Sequence, residues 1–165
     1  MAIILLFIII IVNSIFQSTI LPYFNFLGYL PNTSIVLIIG IALLRGKYYG
    51  GFFGLAVGLI QDILFSRVIG VNAFIYFILG YIVGYIKNTL NDENAFIPVV
   101  FSALGTVFYN LFYFILMYFL ARDISISTGL YNIFSIEILY NSILGILIYK
   151  ILSKIFVKPS LRFGR

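Results

Sequence analysis

The chain has 165 residues, 63% of them hydrophobic and 9% charged, with a mean hydropathy of +1.17, against about 45–50% apolar and about 25% charged in a water-soluble domain. A soluble globule is excluded, and the absence of Cys and His removes disulfides, thiolate nucleophiles, imidazole bases and Cys/His metal sites. A hydrocarbon core about 30 Å thick takes roughly 20 apolar residues per helix, so about six spans leave roughly 45 residues for loops and ends and no room for a second, soluble domain.

In chain order, the first predicted span is 2–21, a continuous apolar run without the basic start and small-residue cleavage pattern of a removable signal peptide. Pro22 and Pro31 bracket an aromatic stretch suited to the water interface. The second span, 33–44, stops at Arg45 and at 1.5 Å per residue is only about 18 Å long, so it extends past a snorkelling Arg45 or crosses a thinned region of bilayer. The third and fourth, 50–65 and 71–86, flank the tight turn 66–70 and form an antiparallel hairpin. A polar break precedes the fifth, 96–121, and a longer one precedes the sixth, 133–157. The fold class is therefore all-α: a single polytopic membrane domain, a six-helix bundle.

The net charge of +5 comes from 10 basic and 5 acidic residues. Alternating six spans puts Arg45, Lys47, Lys87, Lys150, Lys154, Lys158, Arg162 and Arg165 on one side and only Arg67 and Arg122 on the other. By the positive-inside rule both termini are cytoplasmic; the net charge reports membrane orientation rather than nucleic-acid binding, and the basic tail reads as this topology signal rather than as a specific anionic-lipid or protein docking site.

Lipid surrounds such a bundle, so small and polar residues at helical spacing reveal its buried faces. The first span offers Asn13 and Gln17. The third carries Gly51, Gly54, Gly58 and Asp62, and the fourth Asn72, Tyr76, Gly80 and Gly84. Ser102, Gly105, Thr106, Tyr109, Asn110 and Tyr113 mark the fifth, and Glu137, Asn141, Gly145 and Tyr149 the sixth. Glycine stripes are ordinarily packing surfaces, whereas a carboxylate within a span marks a partner, a cavity or a proton step. Asp62 ends the third span and Glu137 opens the sixth on the outer side, with Asn72 and Asn141 at similar depth. Both carboxylates are expected to face an outward-opening polar region, where ion pairs with Arg67 or Arg122 compete with a binding role.

Catalysis is not expected. Intramembrane aspartyl proteolysis needs two aspartates sharing a proton, and of the candidates Asp62 and Asp123 the second lies in an interfacial loop. The segment from Gly58 to Asp62 lacks a Gly-x-Gly-Asp form, lipoprotein signal peptidase motifs are not evident, and there is no Gly-rich phosphate loop. No metal or cofactor is expected either.

From Pro31 through Leu44-Arg45-Gly46, then Gly50-Gly51-Phe52-Phe53-Gly54 to Gly58-Leu59-Ile60-Gln61-Asp62, and on to Ile69-Gly70-Val71-Asn72-Ala73-Phe74 with Gly80-Tyr81 and Gly84, the sequence resembles the rod shape-determining protein MreD family. Asn32 departs from the pattern, which has an acidic residue after the proline. The resemblance implies a non-enzymatic component of the elongasome in the bacterial cytoplasmic (inner) membrane, which helps to control lateral-wall peptidoglycan synthesis and rod shape. It implies direct binding to MreC, with MreB, RodA and a class B penicillin-binding protein in the same assembly.

The expected partner or cavity residues are Gly54, Gly58, Asp62, Asn72, Tyr76, Gly80, Glu137 and Asn141. The paired third and fourth spans are expected to receive the MreC membrane helix or to shape an outward cavity, so that Gly58→Leu weakens MreC copurification and spares insertion. MreD proteins also look like the S components of energy-coupling-factor transporters. The alternative reading is thus a vitamin- or metal-binding S component, with Asp62, Asn72, Glu137 and Asn141 lining its pocket. A transporter or channel with a proton-linked carboxylate is a third possibility, although no inverted repeat is visible.

Overall fold

The computed structural model describes residues 2–24, 29–66, 68–87, 96–120 and 135–156. Among these the regular structure is helical, with six α-helices: α1 (Ala2–Thr19), α2 (Thr33–Arg45), α3 (Lys47–Phe65), α4 (Val71–Ile86), α5 (Phe96–Phe119) and α6 (Glu137–Phe156). A short 3-10 helix, Leu21–Phe24, follows α1. Four stretches, Ile4–Tyr23, Lys47–Phe65, Phe96–Phe119 and Glu137–Phe156, are long and apolar enough to cross a membrane. Helices α2 and α4 are shorter.

The shortness of α2 has a packing reason. Its 13 residues include Ile35, Ile38, Ile39 and Ile41, all essentially inaccessible, and it packs against each of the other five helices. A helix that is apolar all round belongs in an interior. Enclosed in this way, α2 does not need the full hydrophobic length that a lipid-facing span requires. Asn32 starts it, its Oδ1 accepting from the Ile35 N–H (3.3 Å).

Helix α3 begins at Lys47 rather than at Gly50 as expected, leaving Gly46 as the single residue between α2 and α3. Its φ of +87° lies where a side chain is disfavoured, which is how so short a connection reverses the chain. Gly70, at φ +104°, plays the same part at the start of α4.

The α3–α4 hairpin is the tightest pairing in the bundle. Gly50 lies against the backbone of Gly80, Gly54 against that of Tyr76, and Gly58 against Ala73, in antiparallel order. The line is thus Gly50–Gly54–Gly58–Asp62; Gly51, grouped with it from the sequence, sits beside Phe77 instead. Helices α5 and α6 form a second antiparallel pair, with Gly145 against Ser102 and Pro98. Helix α1 is held by Ile10 in the apolar core, with Leu6 and Ile9 beside it, and by polar contacts from Asn13 and Gln17, and an apolar groove lies on either side of it. One is about 370 Å³ and lies between α1 and α3; the other, about 390 Å³, lies between α1, α2 and α6.

Candidate functional site

Side-chain chemistry gathers at one end of the bundle, where α1, α3 and α5 finish and α2, α4 and α6 begin. Asp62 is its deepest charged residue, with no exposed surface. Its Oδ2 accepts from the backbone N–H groups of Gly70 (2.9 Å) and Ala73 (3.1 Å). Its Oδ1 accepts from the Asn72 N–H (3.2 Å) and the Asn72 side-chain amide (2.8 Å). The first turn of a helix has N–H groups with no intrahelical partner, and it favours negative charge. Asp62, at the end of α3, therefore caps α4 across the hairpin, and the left-handed Gly70 brings those amides within reach. Asn72 Nδ2 also donates to Ser66 Oγ (3.0 Å), which ties the intervening turn to the same point.

From Asn72 the hydrogen bonds run inward. Tyr109 of α5 donates its hydroxyl to Asn72 Oδ1 (2.6 Å), and its ring stacks on that of Tyr76 with centroids 5.2 Å apart. The buried Tyr76 hydroxyl accepts from Asn32 Nδ2 (3.0 Å). The Asn32 backbone N–H donates to Asn141 Oδ1 (2.8 Å), while Asn141 Nδ2 donates to Thr106 Oγ1 (2.9 Å). Glu137 lies at the far edge, with Asn110 Nδ2 at 3.3 Å and Asn141 Nδ2 at 3.4 Å. On the other flank, Asn13 and Gln17 of α1 donate to Ser34 Oγ at 2.9 and 3.0 Å, and Thr33 donates to Asn13 Oδ1 (2.7 Å). With lipid outside and no water to satisfy them, such groups are kept by turning them on one another. Among the described residues, no group of three His, Cys, Asp or Glu side chains is placed to hold a metal ion.

The eight candidate residues divide into two sets. Asp62, Asn72, Tyr76, Glu137 and Asn141 belong to the polar end, where Glu137 is partly exposed at the edge and the other four are buried. Asp62, Tyr76 and Asn141 have no exposed surface and Asn72 has 3%, so the expected open region is filled by their own hydrogen bonds. Asp62 accepts four bonds from amide groups; the ion pairs considered for the carboxylates fall on Arg67 and Arg122, which with Asp123 lie outside the described residues.

Gly54, Gly58 and Gly80 form the second set. A Cβ at Gly58 would lie 2.4 Å from Ala73 Cα, one at Gly54 2.3 Å from the Tyr76 carbonyl oxygen, and one at Gly80 2.2 Å from the Gly50 oxygen. The face expected to receive a partner's helix is thus taken by the chain's own hairpin. Gly58→Leu would part α3 from α4 before it reached any partner, so an effect confined to copurification is no longer expected.

Asn32 and Tyr109 were not among the expected site residues, though Asn32 links the start of α2 to α4 and α6 and Tyr109 links α5 to α4. Tyr109 lay on a recognised stripe, and Asn32 directly after Pro31 in front of an apolar run is a helix-start signal. Neither signal reveals that the two converge on Tyr76.

Six packed helices, four of them long and apolar enough to span a bilayer, with a hydrogen-bonded polar cluster at one buried end, define a polytopic helical membrane protein. The chain belongs to the rod shape-determining protein MreD family, whose model matches residues 1–158. No curated protein and no solved structure matches it. Membership connects the chain with the determination of rod shape.

Proposed function

We propose that the protein is a non-enzymatic membrane component of the machinery that directs lateral-wall peptidoglycan synthesis, and that it works by binding MreC in the bacterial cytoplasmic membrane. On this reading its termini are cytoplasmic and the polar end of the bundle faces outward, as the positive-inside rule requires. MreB, RodA and a class B penicillin-binding protein belong to the same assembly through MreC. The family match over residues 1–158 carries the proposal. The structure supports it physically: Asp62, Asn72, Tyr76 and Asn141 are occupied in joining helices, which leaves lipid-facing helix surfaces for interaction. Because α3 and α4 close the glycine face between them, MreC engages other surfaces of the bundle.

An S component of an energy-coupling-factor transporter would need an accessible polar pocket. Asp62, Asn72 and Asn141 are instead buried and bonded within the bundle, and the two grooves beside α1 are apolar. Removing the protein from its host should convert rods to rounded cells, and an intact copy should restore them. Rods that persist through complete depletion would overturn the proposal.

A further inference from the structure

The end of the bundle opposite the polar cluster has its own chemistry. Arg45, Lys47, Lys87, Lys150 and Lys154 all lie there, while the described carboxylates, Asp62 and Glu137, sit at the other end. Two of these cations stand over aromatic rings. The Arg45 guanidinium lies 4.9 Å from the centroid of Phe156 and 5.8 Å from that of Tyr49, and the Lys47 ammonium 5.2 Å from that of Tyr48, with Tyr85 at 5.3 Å and Tyr81 at 5.7 Å. Cation–π contact holds each charge in place without neutralising it.

Tyr48 and Tyr49 are also the lip of the groove between α1 and α3. Below them it continues along Leu6, Phe7, Phe52 and Ala56, a volume of about 370 Å³ with almost wholly apolar walls. The groove therefore opens, at Tyr49 and Tyr48, beside Arg45 and Lys47 at the cationic end of the bundle and runs from there along apolar walls. A free anion would leave its apolar walls unused, and a zwitterionic lipid would leave the cations uncompensated.

We propose that this groove is a binding site for an anionic phospholipid. One acyl chain lies between α1 and α3, and the headgroup phosphate is held by Arg45 and Lys47. The charge of the rim and the apolar length beneath it select the occupant together, and neither α1 nor α3 forms such a site alone.

The sequence contains no Trp, so a single introduced one is a clean reporter. Phe52 lines the groove and is 64% exposed; Phe52→Trp therefore places the indole in it, and Val100→Trp on the exposed face of α5 serves as the reference. Each variant is reconstituted into phosphatidylcholine bilayers containing a minor share of lipid brominated on its acyl chains, either phosphatidylglycerol or phosphatidylcholine. Trp at 52 should be quenched selectively by brominated phosphatidylglycerol and Trp at 100 by both lipids alike.

A cation at the membrane surface contributes about fivefold in binding an anionic lipid, so Arg45→Gln with Lys47→Gln should lower the selectivity at 52 roughly 25-fold. Circular dichroism would verify that the helices of the double variant are intact. Ala56→Phe, which fills the groove and keeps both cations, should also reduce quenching. Equal quenching of Trp at 52 by the two lipids would overturn the proposal, as would selectivity that survives the double substitution in a folded protein. Displacement of the lipid by millimolar inorganic phosphate would overturn it too, because the site would then be one for the anion alone.

Discussion

Asp62 shows how a carboxylate is kept inside a membrane protein. A charged side chain in a span is costly, yet this one accepts four hydrogen bonds, three of them from backbone N–H groups at the start of a helix. Its two oxygens are both in use, so the amide isostere is not a neutral change. Asp62→Asn would turn an NH₂ group toward N–H donors, and Asp62→Ala would leave those donors without an acceptor. Hydrogen bonds to charged groups contribute about 1.5–3 kcal/mol each. Both variants should therefore show a clearly lower thermal unfolding temperature by circular dichroism in detergent. If Asp62 served only to carry a proton, Asp62→Asn would unfold like the parent.

At Asn32 the expectation is reversed. An aspartate there would cap α2 equally well and accept from the Tyr76 hydroxyl instead of donating to it. Asn32→Asp should thus be close to neutral in the same melt. Asn32→Ala, which loses both the cap and the link to Tyr76, should cost about 1 kcal/mol or somewhat more.

Among the helices, the order of contacts along α3 and α4 decides what a glycine is for. Gly58 faces backbone atoms that cannot move without moving a helix, whereas a Cβ at Gly40 would meet only the end of the Leu152 side chain, at 2.7 Å. Overpacking costs about 1–3 kcal/mol where neighbours cannot give. Gly58→Ala should accordingly lower the yield of monodisperse protein on size-exclusion chromatography after mild heating, and Gly40→Ala much less so. Equal losses would mean that α3 and α4 are not in the backbone contact described.

Much of this element scale was legible in the sequence. Composition implied helices, apolar runs placed them, and spacing by four marked Gly54, Gly58 and Asp62 as sharing a face. Other features were beyond periodicity. The start of α3 at Lys47 depends on one residue, Gly46, turning the chain at positive φ, and the rotation of one helix against the other sets Gly50 against the backbone of α4 and Gly51 against its Phe77 and Tyr81 side chains. The most consequential difference concerns burial. A polar stripe looks the same in sequence whether it lines an open cavity or is closed by another helix, so Asp62 and Asn141 read as pocket residues until their partners were known.

Across the whole molecule the two ends contrast. One end is a closed mesh of amides, hydroxyls and carboxylates that joins α1 to α2, and α2 through Asn32 to α4 and α6. The other carries cations set among tyrosines. Between them α2 is wrapped by the remaining helices, while α1 stays largely exposed. A molecule built this way has committed its buried polar chemistry to holding itself together, and its open surface is apolar helix. That distribution suits a protein that works by contact within the membrane, in keeping with the MreD family.

The most direct test is to co-express the protein with MreC, extract both in mild detergent, capture the protein alone by a tag and weigh the intact assembly by native mass spectrometry. MreC should be retained in a defined stoichiometry. Recovery of the protein without MreC, carrying one vitamin-sized ligand per chain, would contradict the proposal.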